Sequence, residues 1–210
     1  MMIKRLLGTI TLAAMAPFLV ATGPHPIART ETIVFAGGCF WGVEAVFEHV
    51  KGVSSAVSGY AGGTTKLPTY GDVSSGSTGH AESVQVVFDP AQVSLEQLLE
   101  VFFLVAHDPT QRNRQGPDVG TQYRSAVFYS SAAQQAAVQV YVAGLVKKKV
   151  YPQPIVTEVA PLSGFYPAES YHQGYLARHP DQPYIVINDM PKLENLRRTF
   201  PALYREAPST

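Results

Sequence analysis

A single cysteine in 210 residues bars this chain from any internal disulfide, so its fold is held by apolar packing rather than by covalent staples. The means are present. Hydrophobic residues make up 46% of the sequence, as in a globular chain with a real core, and the length fits one domain with or without an extension. The cysteine lies in Ala36-Gly37-Gly38-Cys39-Phe40-Trp41-Gly42, where an apolar run over 32–36 meets a glycine pair and then a helical pattern. A thiol at the start of a helix lies near the positive end of the helix dipole, which favours the nucleophilic thiolate. An inert, buried cysteine acting as a small hydrophobe fits the same segment.

The first thirty residues have a different composition. Lys4 and Arg5 precede an apolar stretch from Leu6 to Val20, broken only by Gly8, Thr9, Thr11 and Pro17, and no acidic residue occurs before Glu31. A short basic start, an apolar middle and a small-residue exit read as an export leader. The apolar run is short for a membrane span of about 20 residues. The expected organisation is a leader over 1–28 and a catalytic domain over 29–210, with a periplasmic or secreted destination and no obligate membrane contact. Setting the first thirty residues aside removes Lys4, Arg5 and Arg29, leaving 13 basic against 16 acidic residues and a net charge of −3. Such a balance carries no basic patch for nucleic acid. Export into an oxidising space usually brings paired cysteines. A lone thiol there is a liability unless its reactivity is wanted.

Periodicity predicts strands over 32–36, 53–60, 83–88, 122–129 and 155–160, with helices over 41–49, 94–106 and 131–149. The glycine- and threonine-rich stretch over 62–79 and the polar stretch over 111–120 read as long loops. Strands interleaved with helices give one α/β or α+β layered structure, with strand order unreadable.

A nucleophilic thiol needs a proton donor and groups that hold its substrate. Glu82 follows Gly79-His80-Ala81 at a strand start, Asp118 and Tyr123 lie in Gly116-Pro117-Asp118-Val119-Gly120-Thr121-Gln122-Tyr123, and Tyr70 lies in the glycine-rich loop. Taken singly, Glu82 also reads as a surface carboxylate, the tyrosines as half-buried aromatics and Asp118 as a turn residue. A Cys–His hydrolase using His80 or His172 is the generic alternative, and a binding module with an unreactive thiol is the non-enzyme one. One cysteine with scattered histidines does not give zinc spacing.

Together the motifs say more. Gly37-Gly38-Cys39-Phe40-Trp41-Gly42, Gly59-Tyr60-Ala61-Gly62-Gly63, Pro68-Thr69-Tyr70, Thr78-Gly79-His80-Ala81-Glu82, Phe103 with His107-Asp108-Pro109, Gly120-Thr121-Gln122-Tyr123-Arg124-Ser125 and Ala168-Glu169-Ser170-Tyr171-His172-Gln173 occur in this order. The set resembles the A-type peptide methionine sulfoxide reductases from about Thr32 to Tyr175. The resemblance implies an α+β fold: a two-layer sandwich with a mixed, largely antiparallel sheet flanked by helices, a ferredoxin-like core and long loops. It implies reduction of free and peptide-bound methionine S-sulfoxide in protein repair, with Cys39 as nucleophile passing through a sulfenic acid. It further implies Glu82 as general acid, Tyr70 and Tyr123 as donors to the sulfoxide oxygen, Phe40 and Trp41 as the wall for the substrate methyl, and Asp118 as a polar positioning residue. No metal or organic cofactor is implied, because sulfur supplies the electrons. The expected partners are oxidised-methionine proteins and a thiol reductant such as thioredoxin, glutaredoxin or a small thiol, acting on a monomer. One departure stands out. Many relatives carry further cysteines near the C-terminus that resolve the sulfenic acid, and the tail here, Pro191-Lys192-Leu193-Glu194-Asn195-Leu196, has none.

Overall fold

The computed structural model describes residues 30–206; the leader expected over 1–28 lies outside them. The first strand, β1 (Glu31–Gly37), is buried on both faces. After it come α1 (Phe40–Glu48), β2 (Val53–Ala61), a short α2 (Tyr70–Ser74), β3 (Ala81–Phe88) and α3 (Leu95–Val101), which runs on as a π-helical turn over Phe102–Ala106. A two-residue hairpin, β4 (Arg114–Gln115) and β5 (Asp118–Val119), precedes β6 (Ser125–Tyr129) and α4 (Ala132–Lys147). The chain ends with β7 (Glu158–Pro161), β8 (Phe165–Pro167), α5 (Tyr175–Arg178), a π-helical turn over Ile185–Asp189 and α6 (Met190–Thr199).

The main sheet has the order β7-β6-β1-β3-β2-β8. All its pairs are antiparallel except β6 with β7. Its four central strands, joined as β1-α1-β2-β3-α3-β6, form the ferredoxin-like split βαβ unit. The sheet separates two apolar clusters. Ile33 and Phe35 of β1 and Val84, Val86 and Phe88 of β3 face α1, α3 and α4, meeting Val43, Val46, Phe47, Leu98, Leu99 and Val138. Val34, Ala36, Ala81, Ala126 and Phe128 face the other way, toward Leu162 and Phe165. Strand alternation divides the residues of β1 between the two sides. Phe35 lies between Phe47 and Phe102, with ring centroids 4.9 and 4.6 Å away. Each such ring contributes roughly 1.5–3 kcal/mol by burial.

The expected elements shift in three places. The loop over 62–79 contains α2, started by a capping box in which the Thr69 hydroxyl accepts the Asp72 N–H while the Asp72 side chain accepts the Thr69 N–H. The strand expected over 122–129 begins only at Ser125, because Thr121–Tyr123 forms a 3-10 turn after Gly120. The aperiodic tail folds into the π turn and α6. These differences matter because each carries a residue to one end of the sheet.

Candidate active site

Cys39 sits between the end of β1 and the first turn of α1, as the residue immediately before the helix, and its side chain caps nothing. Gly38 makes the turn possible. Its φ of +91° belongs to the left-handed region, and a Cβ there would lie 2.5 Å from Cβ of Gln115. Gln115 is held by exchanging hydrogen bonds with the backbone of Asp108. The β4–β5 hairpin, which carries Asp118, therefore rests directly on the glycine before the thiol. On the other side, Gly42 admits the tail. A Cβ at Gly42 would fall 2.1 Å from Oδ1 of Asp189, which is itself paired to Lys192 Nζ at 2.9 Å.

Cys39, Phe40, Trp41, Tyr70, Glu82, Asp118, Tyr123 and Tyr184 line one cavity of ≈ 200 Å³. The eight come from five separate stretches of the chain, and seven of them are the residues singled out in the sequence. Glu82 enters from the helix-facing side of β3 and is 2% exposed. One of its oxygens accepts the Phe40 N–H at 3.1 Å, so the carboxyl satisfies one of the free donors at the α1 N-terminus. Burial pushes the Glu82 carboxyl up to about 8; the Phe40 N–H opposes this and Asp118 adds to it. Such a group keeps its proton at neutral pH.

The thiol departs from expectation. Burial, joined by Glu82 and Asp189, pushes the Cys39 thiol well above the ordinary range, and the backbone N–H of Trp41, with Lys192, opposes this only in part. The resting group is a neutral thiol, since the helix terminus cannot offset the loss of water. Tyr70 and Tyr123 are also pushed up by burial, followed by Glu82, and both remain O–H donors across the physiological range.

Phe40 is packed beneath the cavity against Tyr60 and His172. Trp41 stacks on Tyr175 at 3.8 Å and 8°, and its indole N–H donates to Nδ1 of His172 at 3.1 Å. The two histidines considered for a hydrolase hydrogen-bond elsewhere. His80 bonds the Gly63 N–H and the Thr65 carbonyl, and His172 serves Trp41, so neither pairs with Cys39. Tyr184 was not foreseen. Its O–H donates to Oδ2 of Asp118, joining the tail to the hairpin across the cavity. Only its place among tail aromatics marked it, and a tyrosine before a π turn has no periodic signal. Among the described residues no group of three or more His, Cys, Asp or Glu side chains is arranged to hold a metal, and no helix is long and apolar enough to cross a membrane.

Comparison with known proteins places this arrangement. The sequence model of the family described as peptide methionine sulfoxide reductase matches residues 31–203. The chain is 56% identical over 179 residues to peptide methionine sulfoxide reductase MsrA 2 of Mesorhizobium japonicum, covering 85% of this chain and 92% of that one. Among solved structures, methionine sulfoxide reductase A of Corynebacterium diphtheriae superposes with a TM-score of 0.65 at 40% identity, covering 75% of this chain and 77% of its own. Reduced Mxr1 of Saccharomyces cerevisiae superposes with a TM-score of 0.67 at 34% identity, covering 77% and 92%. A buried thiol facing a protonated carboxyl and two phenols thus sits in a fold and sequence shared with these enzymes, and the chain belongs to the peptide methionine sulfoxide reductase family.

Proposed function

We propose that this chain reduces methionine S-sulfoxide, free and in proteins, with Cys39 as the reducing sulfur and Glu82 as the proton donor. The observation that carries the residue assignment is the buried Glu82 carboxyl, protonated up to a pH of about 8, in one cavity with the thiol. A sulfoxide oxygen is a good acceptor and a poor leaving group, so it must gain a proton as its sulfur is attacked. Glu82 gives that proton, and Tyr70 and Tyr123 direct their O–H groups at the same oxygen and stabilise its developing charge. Sγ of Cys39 bonds to the substrate sulfur, and the thiol proton passes to the carboxylate that Glu82 has become. The hydroxyl then passes from the substrate sulfur to Sγ as the sulfur–oxygen bond of the substrate and the new sulfur–sulfur bond both break, so methionine leaves and Cys39 is left as a sulfenic acid. The sum balances: sulfoxide and thiol give thioether and sulfenic acid. Phe40 and Trp41 wall the apolar end of the substrate, and Asp118, tied to Tyr184, borders the polar end.

With no second cysteine in the sequence, recycling falls to an outside thiol. Two equivalents return Cys39 to the thiol and release water and a disulfide. We assign this role to a thioredoxin- or glutaredoxin-like protein or a small thiol. Export to the periplasm or beyond is supported by the composition of residues 1–28 alone, and action as a monomer completes the reading.

Separate S and R epimers of a methionine sulfoxide peptide, offered with dithiothreitol, test the reaction class. The S epimer is consumed and the R epimer persists; consumption of R, or of neither, overturns the proposal. Tyr70→Phe and Tyr123→Phe each lower kcat/KM by roughly tenfold or less, about one hydrogen bond in the transition state, and the double variant loses more than either. A double variant that matches the wild type removes the phenols from the mechanism.

A further inference from the structure

The segment Ala168 to Gln173 contributes no atom to the cavity around Cys39, yet its side chains reach the residues that form it. Glu169 accepts the Tyr70 N–H with one oxygen and the Tyr60 hydroxyl with the other, both at 2.9 Å. Gln173 exchanges hydrogen bonds with both backbone groups of Ser58, which anchors the turn to β2. His172 accepts the Trp41 indole N–H. We propose that His172 is a positioning residue of the sulfoxide site: its Nδ1 fixes the Trp41 indole as the wall of the cavity, and through Trp41 it sets affinity for the apolar end of the substrate. The inference rests on the reductase reading above.

The chemistry of the pair leaves one arrangement. An indole N–H only donates, so Nδ1 is the bare nitrogen and Nε2 carries the hydrogen. Nε2 is buried with no hydrogen-bond partner among the described residues. Its ring is enclosed by Phe40, Tyr70 and Tyr171, with centroids 4.9, 4.5 and 4.1 Å away. An unpaired buried donor is costly and uncommon; here the ring is kept in the orientation that serves Trp41. Burial lowers the pKa of His172 while Glu169 raises it, and the neutral form favoured by burial is the one able to accept. Stacking on Tyr175 fixes the plane of the indole but does not choose which edge of the ring faces the turn. The bond to His172 makes that choice.

Trp41 is the only tryptophan, so intrinsic emission reports on it directly. His172→Asn sets an amide oxygen close to where Nδ1 stands, whereas His172→Gln carries it toward the position of Nε2. Emission, KM and kcat are measured for each with the S epimer and dithiothreitol. His172→Gln raises KM roughly fivefold, the share of one hydrogen bond, leaves kcat within about twofold and moves the emission to longer wavelength. His172→Asn stays near the wild type in all three. In a Trp41→Phe background, His172→Gln leaves KM where Trp41→Phe has set it. Asn and Gln variants that behave alike, or a further rise in KM in the Trp41→Phe background, overturn the proposal. A wild-type protein that reduces no sulfoxide instead defeats the reductase reading, and the emission comparison still decides whether His172 holds Trp41.

Discussion

Cys39→Ser yields no methionine from the S sulfoxide in dithiothreitol at any enzyme concentration, while circular dichroism and thermal unfolding remain those of a folded protein. The expectation is absolute because in the proposed reaction both electrons come from this sulfur, and a serine oxygen cannot take its place as reductant. No other residue can stand in, since the sequence holds no second cysteine. The fold tolerates the change. The side chain caps no helix, is 8% exposed and loses only one soft atom to a smaller one, so any destabilisation stays within the ~1–3 kcal/mol of a poorly paired hydroxyl. Residual turnover above background in this variant, assayed by chromatography of the released methionine, excludes Cys39 as the reductant.

Glu82→Gln lowers kcat/KM for the same substrate by about 10²–10⁴-fold, the usual worth of a positioned general acid. The substitution is informative because the amide oxygen of glutamine can still accept the Phe40 N–H that Glu82 accepts at 3.1 Å. The α1 N-terminus stays in place and only the transferable proton is lost. The pH dependence has a definite sign. Glu82 is raised from 4.5 to about 8, so the wild type holds the proton below that value and its rate falls as pH rises through it. The glutamine variant lacks this falling limb. Stability follows the same proton. With its folded pKa raised, the folded state binds more protons than the unfolded chain between about 4.5 and about 8, so the contribution of Glu82 to stability declines across that window as pH rises. Denaturant midpoints of Glu82→Gln do not decline in this way, so the variant gains on the wild type across that window and the gain levels off above a pH of about 8. Near-native turnover of Glu82→Gln at neutral pH removes the carboxyl from the acid role.

The same residues show how far a sequence can be read. Strand β3 alternates Val84, Val86 and Phe88 on one face, and Glu82 continues that parity; a carboxyl on the apolar face of a strand already signals burial. Phe40, Trp41 and Cys39 are placed by a strand–Gly–Gly–helix junction, which is local information. Tyr123 is different. As part of a strand over 122–129 it would stand on the sheet, and only the 3-10 turn after Gly120 directs it into the cavity. Tyr184 was missed because its partner, Asp118, lies 66 residues away, and the π turn after it shows neither helical nor strand periodicity. The strand order β7-β6-β1-β3-β2-β8 rests on long-range pairing that no local pattern encodes. The charge state of Cys39 depended on a balance that sequence cannot weigh. The helix terminus was legible, but the depth of burial that outweighs it was not.

In the proposed reaction, one sulfur atom removes one oxygen from one methionine sulfoxide. A single turnover without reductant tests it most directly: purified, fully reduced protein is mixed with excess S sulfoxide, and methionine and the state of Cys39 are counted together. One methionine is expected per protein chain, accompanied by one sulfenic acid at Cys39 that a cyclic diketone traps. Methionine released with Cys39 still a free thiol, or a disulfide-linked dimer as the sole oxidised product, contradicts it.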